Sequence, residues 1–256
     1  MVSWMASIFQ NSSRHWPVSS VWRRRRFAMP ETTVFLPLVD AYDRWSAFYD
    51  RYDNPMVFGA WQIVRGIAER VAGQAVVEFG CGTGRNLQLL KQSGARSVAG
   101  CDLSAGMLAR AREHDPALVL FHQDMAQPLP LADGVADLVL FSLALEHVAV
   151  LTPPLREAKR LLSSNGKIVL IEIHPFLTLS NVAAHFRDEG TVVTMPTFPH
   201  GFSDYLNAAD ESGLHIAACR EWRPRDFDGP VPEKVLKRGP DVPLIVEFVL
   251  QSSSRA

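Results

Sequence analysis

The chain has 256 residues, of which 47% are hydrophobic and 21% charged, as is usual for a soluble globular protein with a large core. No apolar run approaches the ~18 residues that a membrane-spanning helix needs. Three scattered cysteines are too few for a disulfide framework or a zinc site. We therefore expect a cytoplasmic protein without a metal site and without a membrane partner.

The net charge of −1 hides an uneven distribution. Residues 1–30 contain five of the 26 basic side chains and no acid, so 21 basic residues oppose 27 acidic residues in the remainder. Because nucleic-acid binding needs clustered Lys or Arg, an acidic body predicts no nucleic-acid partner. The Ser- and Arg-rich tail is typical of an organellar transit peptide, and equally of a disordered segment before a start at Met29. We expect a disordered basic tail over 1–30 and a single domain over 31–256.

Residues 31–72 are predicted to form short helices that are broken at Pro55. Helical spacings of three and four residues place four aromatic side chains on one face: Tyr42, Trp45, Tyr49 and Tyr52. Aromatic faces bind planar molecules by stacking. We expect an N-terminal helical lid in which Tyr42 and Tyr49 contact a flat ligand and the other two rings pack against the domain.

Residues 74–87 predict a strand, a tight turn and a helix. An apolar run ends at Glu78, and Gly80, Gly82 and Gly84 follow it. Residues without a Cβ let the backbone bend sharply and approach a ligand, and the start of a helix presents free N–H groups. A dinucleotide-binding fingerprint would have a glycine at position 85, where this chain has arginine. The turn therefore predicts a site for a different nucleotide-like cofactor.

The predicted core continues with strands that end in polar residues. The second strand ends at Asp102, whose carboxylate can accept hydrogen bonds from two ribose hydroxyls. Asp124 follows the third strand, Ser142 ends the fourth, and His174 follows the fifth. Because ligands bind at the carboxyl edge of a parallel sheet, we expect these strand ends to form a site.

The chain after residue 175 is predicted to be a loop-rich insert followed by elements that complete the sheet. A helical stretch is expected around residues 182–187, and a helix from Ser203, its N-cap, to Gly213. Two apolar, β-rich runs, 214–222 and 244–251, are predicted as the closing strands.

Taken together, these motifs resemble those of the class I S-adenosylmethionine-dependent methyltransferases. The resemblance covers residues 70–175 and implies a doubly wound, Rossmann-like α/β fold with a mixed seven-stranded sheet whose last strand is antiparallel. It divides the domain into a lid (31–72), a cofactor-binding core (73–175) and a substrate insert with closing strands (176–256). The chain is most similar to the small-molecule branch of ubiquinone, biotin and natural-product pathways. Its lid sequence is similar to secondary-metabolite N- or O-methyltransferases such as those of azapteridine toxin synthesis.

The resemblance implies S-adenosylmethionine as the cofactor and assigns residues to it. Glu78 would lie near the methionine amino group, Asp124 would accept from the adenine amino group, and Met125 would flank the ring. The expected cofactor-binding residues are Glu78, Gly80, Gly82, Gly84, Asp102, Leu103, Asp124, Met125 and Ser142.

The motifs leave the base that would deprotonate an acceptor undecided. Histidine titrates near neutral pH. We expect His174 or His200 to be catalytic, because His174 follows the fifth strand at the ligand edge and His200 precedes the late helix. His147, in a Leu-Glu-His-Val string common in the family, is expected to contact substrate with Tyr42 and Tyr49.

The acceptor class follows partly by exclusion. The Ser-Leu-Ala-Leu segment that begins at Ser142 differs from the Asp/Asn/Ser-Pro-Pro-aromatic sequence of methyltransferases that act on amino groups of DNA or glutamine. Metal-assisted methylation of catechols needs a cluster of Asp and Asn ligands, and the sequence shows none near the same edge. We expect transfer to N or O of a small planar metabolite in secondary metabolism. Two alternatives stay open: an NAD-dependent oxidoreductase, which Arg85 disfavours, and a non-catalytic cofactor-binding module.

Overall fold

The computed structural model describes residues 32–253, and the tail predicted over 1–30 lies outside them. None of the helices within 32–253 is both long enough and apolar enough to cross a bilayer. In chain order the strands and helices are β1 Thr32–Phe35, α1 Leu38–Ser46, α2 Pro55–Ala68, β2 Ala75–Phe79, α3 Arg85–Gln92, β3 Ser97–Asp102, α4 Ala105–His114, β4 Val119–His122, β5 Ala136–Ser142, α5 Thr152–Leu161, β6 Leu162–Ile173, α6 Pro175–Thr178, β7 His185–Asp188, β8 Thr191–Thr194, α7 Phe202–Glu211, β9 Leu214–Trp222, α8 Glu233–Leu236 and β10 Ile245–Ser252.

The main sheet has seven strands in the order β4-β3-β2-β5-β6-β10-β9. Strands β2 to β6 are parallel, and β10 runs antiparallel to both β6 and β9. From β2 the chain adds β3 and β4 on one side and then returns to add β5 and β6 on the other side, as in other doubly wound sheets. The expected mixed seven-stranded α/β fold with an antiparallel last strand is confirmed.

Both faces of the central strands are buried. Along β5, Leu138 and Leu140 face one side and pack with α2, while Val139 and Phe141 face the other side with α5 and α7. Phe141 stacks on Phe79 of β2, with ring centroids 4.8 Å apart. Continuous apolar strands of this kind form a sheet that helices cover on both faces. A ligand can therefore reach the sheet at the ends of its strands and not through its faces.

A second, three-stranded sheet was not expected from the sequence. Residues 182–187 are predicted to be helical, but β7 pairs there with β8 in an antiparallel hairpin, and β1 pairs in parallel with β8. The two-residue loop Glu189-Gly190 has positive φ angles of 44° and 80°, the conformation of a type I′ hairpin turn. The helical prediction is wrong because this turn and the β-branched residues of β8 favour a hairpin.

The helix starts agree with the sequence at Pro55 and differ at α7. Pro55 is the first residue of α2, and the Asn54 side chain caps it by accepting from the Met56 N–H at 2.8 Å. Helix α7 begins after Gly201, not at an N-cap Ser203, because the Asp204 carboxylate reaches back to the Gly201 N–H at 2.7 Å. The division of the chain at residues 72 and 175 stays a prediction.

A glycine substitution tests how tightly α3 packs on its neighbours. Gly84 caps α3 with φ +72°, and an added Cβ would lie 2.9 Å from Leu118 and 3.1 Å from Ala111. Gly190 has a similar φ of +80°, but beyond its chain neighbours no atom of residues 32–253 lies within 4 Å of a Cβ added there. We expect Gly190→Ala to cost about 1–2 kcal/mol of unfolding free energy from backbone strain, and Gly84→Ala about 1–3 kcal/mol more from overpacking. Urea unfolding measures both, and equal losses would contradict the packing.

Candidate functional site

Three neighbouring strands end at the same edge of the main sheet and form a cleft there. The turn after β2, the last residue of β3 and the end of β5 bring Gly80, Asp102 and Ser142 together. Two adjoining cavities of about 50 and 90 Å³ lie at this edge. Both are lined by Tyr49, Gly80, Gly82, Ser142 and Leu143, and we call them together the strand-end cleft.

The glycine turn lies directly against this cleft. Gly80 has φ +69°, and a Cβ there would be 2.6 Å from the Cβ of Ala144. Gly82 has φ +53°, and its N–H donates to Asp102 Oδ2 at 2.8 Å. Glycine at these two positions allows the bend and leaves the backbone surface open to a ligand.

The Asp102 side chain is oriented by backbone hydrogen bonds. Its Oδ1 accepts from the Ser104 N–H at 2.8 Å, and its Oδ2 accepts from Gly82. Each carboxylate oxygen retains a second lone pair that can accept a ligand hydroxyl. Burial raises the pKa of Asp102, although the bonds from the Ser104 and Gly82 amides lower it. The carboxylate is thus fixed at the cleft with acceptor capacity to spare.

Glu78 is the second acid of the cleft and is incompletely bonded. Its Oε1 accepts from Asn86 Nδ2 at 2.7 Å, but its Oε2 is buried without a hydrogen-bond partner among residues 32–253. Burial raises the pKa of Glu78 to about 8. A buried polar atom without a partner is costly, so this oxygen is suited to receive a donor from a ligand.

Helix α1 closes the cleft from the outside. Asp43 Oδ1 accepts from the Ser104 hydroxyl at 2.5 Å and from the Gly106 N–H at 2.8 Å, which anchors α1 to the start of α4. The Tyr42 hydroxyl lies 2.7 Å from His147 Nε2. These bonds hold α1 across the ends of β3 and β5.

A larger cavity of about 340 Å³ adjoins the cleft. We call it the aromatic cavity because its wall includes Tyr42, Trp45, Tyr49 and Tyr52. Tyr42 and Tyr49 line both the cleft and this cavity. Trp45 packs as expected, stacking on Phe186 with centroids 4.7 Å apart, and it also faces the cavity.

The two histidines expected to be catalytic do not line either space. His174 Nδ1 accepts from the Phe176 N–H at 3.1 Å, and its Nε2 donates to Glu221 Oε1 at 3.0 Å. His200 Nε2 donates to the Val148 carbonyl oxygen at 2.8 Å. These three ring nitrogens are bonded to groups of the protein, and neither histidine lies at the cleft, where the sequence led us to expect both.

Two of the expected cofactor residues also lie away from the cleft lining. Gly84 is packed against Ala111 and Leu118, so its lack of a side chain serves helix packing. Asp124 is exposed, and its Oδ1 accepts from the Ala126 N–H at 2.9 Å. The remaining expected residues line the cleft: Glu78, Gly80, Gly82, Asp102, Leu103, Met125, Ser142 and, for substrate, His147.

Other lining residues were missed by the sequence reasoning. Arg85, where a dinucleotide site would have glycine, lines the cleft and stacks 4.5 Å over the Trp61 ring. Glu146 is buried and lines the aromatic cavity. Its sequence signal is weak, an acid in the turn that follows β5. Within residues 32–253, no group of three or more His, Cys, Asp or Glu side chains could hold a metal ion.

Comparison with known proteins finds methyltransferases among the relatives of this chain. A family model described as a methyltransferase domain matches residues 77–170. The chain is 30% identical over 186 residues to a malonyl-[acyl-carrier protein] O-methyltransferase of Pectobacterium atrosepticum, covering 73% of this chain and 68% of that protein. It is 34% identical over 138 residues to a demethylmenaquinone methyltransferase of Clavibacter sepedonicus, and the match covers 51% of this chain and 56% of that protein.

A solved structure shares the fold over most of the chain. The 1,6-didemethyltoxoflavin-N1-methyltransferase of Burkholderia thailandensis, solved with 1,6-didemethyltoxoflavin and S-adenosylhomocysteine, superimposes with a TM-score of 0.53 at 14% identity. The match covers 84% of this chain and 88% of that one. Together with the relatives, it identifies the chain as a class I S-adenosylmethionine-dependent methyltransferase, an enzyme that uses S-adenosylmethionine as its cofactor.

Proposed function

We propose that the protein transfers the methyl group of S-adenosylmethionine to a nitrogen or oxygen of a small, planar heterocyclic or aromatic metabolite of secondary metabolism. One observation carries the proposal. Tyr42 and Tyr49 line both the strand-end cleft, which contains seven of the nine expected cofactor residues, and the aromatic cavity of about 340 Å³. A methyl donor and its acceptor need two adjoining spaces of this kind.

The residues of the strand-end cleft fit the cofactor. The unpartnered Oε2 of Glu78 would accept from the ammonium group of its amino-acid part. Gly82 would allow close approach, because beyond its chain neighbours no atom of residues 32–253 lies within 4 Å of a Cβ added there, and Gly80 allows the bend where a Cβ would meet Ala144 at 2.6 Å. The free lone pairs of Asp102 would accept from the ribose hydroxyls. The apolar side chains that line the cleft beside them, Leu103 and Met125, would pack on the adenine ring.

The chain has little covalent chemistry to perform. When bound, S-adenosylmethionine supplies an activated methyl group on a sulfonium centre. The protein must align the acceptor atom with that methyl group and exclude water. Tyr42, held by His147, and α1, held by Asp43, fix the wall that the two spaces share.

The lining of the aromatic cavity supports a planar acceptor. Four aromatic side chains present ring faces or edges, and flat heterocycles gain most from such contacts. Of the acceptors named for the similar proteins, demethylmenaquinone and 1,6-didemethyltoxoflavin contain rings, whereas the malonyl group does not. The cavity therefore favours the ring-containing class.

The role of Glu78 predicts proton release on cofactor binding. Burial raises its pKa to about 8, so the free protein carries it mainly protonated at pH 7. A ligand ammonium favours the carboxylate, so binding of S-adenosylhomocysteine at pH 7 should release on the order of one proton. Calorimetry in buffers of different ionisation enthalpy measures this number. Glu78→Gln should abolish the release and exposed Glu69→Gln should preserve it. A wild-type binding enthalpy independent of buffer would contradict the assignment.

The role of the aromatic cavity predicts a loss of transfer when the cavity is filled. Val182 lines it, and Val182→Phe should lower methyl transfer by about tenfold or more, on the order of 1.4 kcal/mol, while S-adenosylhomocysteine affinity stays within about twofold. The assay follows radioactive methyl transfer to a panel of planar N-heterocycles, phenols and quinols. Val150→Phe is the control because Val150 is 60% exposed. Equal rates for the two variants would place the acceptor elsewhere.

A further inference from the structure

Glu146 occupies a position that the cofactor does not explain. It lies in the short 3-10 helix Leu145–His147 that follows β5. The residue lines both the aromatic cavity and a neighbouring cavity of about 220 Å³. Its backbone carbonyl accepts from the Phe198 N–H at 2.7 Å, which holds the turn against the 195–200 loop. Glu146 is therefore held in the wall of the proposed acceptor site.

Within residues 32–253, this carboxyl group has no hydrogen-bond donor. Glu146 Oε2 is buried without a partner, and Oε1 lies 3.8 Å from His147 Nε2. His147 Nδ1 must carry the ring hydrogen, because it lies 2.9 Å from the Pro196 carbonyl oxygen, which only accepts. Nε2 then accepts from the Tyr42 hydroxyl at 2.7 Å. Burial lowers the pKa of His147, which keeps the ring neutral, so within residues 32–253 Glu146 has neither a donor nor a cation beside it.

An unpaired buried carboxyl group is costly and calls for a ligand. Burial raises the pKa of Glu146 to about 7, a value suited to accepting and releasing a proton near neutral pH. Trp45 lines the same cavity, and its Nε1 is also buried without a partner. The wall thus offers one unused acceptor and one unused donor.

We propose that the methyl acceptor donates an N–H or O–H hydrogen bond to Glu146 and that this carboxylate takes the proton during transfer. The inference rests on the proposed function and narrows its acceptor class. The lone pair of the nitrogen or oxygen forms the new bond to the methyl carbon, the carbon–sulfur bond breaks, and its electron pair stays on sulfur. The hydrogen moves to Glu146 and its bonding pair stays on the acceptor atom. The Trp45 N–H would meet a carbonyl oxygen or ring nitrogen of the same molecule.

The same geometry disfavours an acceptor that reacts through a carboxylate. Such a group has no proton to give to Glu146. The acceptor class is therefore a planar molecule with an acidic N–H or O–H and a nearby hydrogen-bond acceptor.

A pair of planar probes tests the hydrogen bond directly. Indole and benzothiophene have similar size and shape, but only indole has an N–H donor. We expect the S-adenosylhomocysteine-bound protein at pH 8 to bind indole at least about tenfold more tightly than benzothiophene in ligand-observed NMR titrations. Glu146→Leu should remove this preference, and Glu69→Leu, at an exposed position, should keep it. Persistence of the preference in Glu146→Leu would overturn the inference.

Turnover tests the proton transfer. Glu146→Gln preserves size and hydrogen-bond acceptance but is not a base, so kcat with the N–H and O–H members of the acceptor panel should fall about a hundredfold or more. S-adenosylhomocysteine affinity should stay within about twofold. Unchanged kcat, or preferential methylation of carboxylic acids by the wild type, would overturn the inference.

The two proposals fail in different ways. If the wild type binds both probes equally, Glu146 accepts no hydrogen bond from the acceptor, while the aromatic cavity remains the acceptor site. If neither probe binds the wild type and Val182→Phe leaves transfer unchanged, the aromatic cavity is not the acceptor site and the proposed function fails together with the inference.

Discussion

The hydrogen bond from the Gly82 N–H to Asp102 joins the ends of two neighbouring parallel strands, β2 and β3, at 2.8 Å. The other oxygen of Asp102 accepts from Ser104, at the start of α4. One carboxylate therefore fixes both the glycine turn and the next helix relative to the sheet edge. The cleft is the space that this arrangement leaves between the turn and the end of β5. Because the donors are backbone groups, the position of Asp102 depends little on side-chain freedom.

The small sheet supports the other side of the site. Trp45 of α1 stacks on Phe186 of β7, and both belong to a buried cluster with Val193 of β8. The Tyr52 hydroxyl accepts from the Arg187 N–H at 3.2 Å, which links the aromatic series to the same hairpin. The hairpin thus orients the aromatic residues, and Asp43 holds their helix on α4. The aromatic cavity is consequently built from segments far apart in the chain.

Sequence patterns predicted the elements whose signals are local. The apolar runs of β2, β3 and β5 and the glycines after β2 lie within short windows, and the parallel arrangement follows from their alternation with helices. The pairing of β1 with β8 joins residues about 160 positions apart, so no local pattern indicates it. Sequence patterns also do not indicate where a side chain points. His174 follows a central strand, yet its ring turns to accept a hydrogen bond from the Phe176 N–H.

Glu78 and Glu146 show one physical principle at two places. Each carboxyl group is buried with an oxygen that lacks a partner, and burial raises the pKa of each, to about 8 and about 7. The charged form of each group is therefore unfavourable, and a ligand that supplies a donor removes this penalty. In the proposed roles, an ammonium group meets Glu78 and keeps it charged, whereas an N–H or O–H donor meets Glu146 and gives up its proton. Tyr49 lines the spaces on both sides, so in these roles the two carboxyl groups meet different ligands although burial acts on both in the same way.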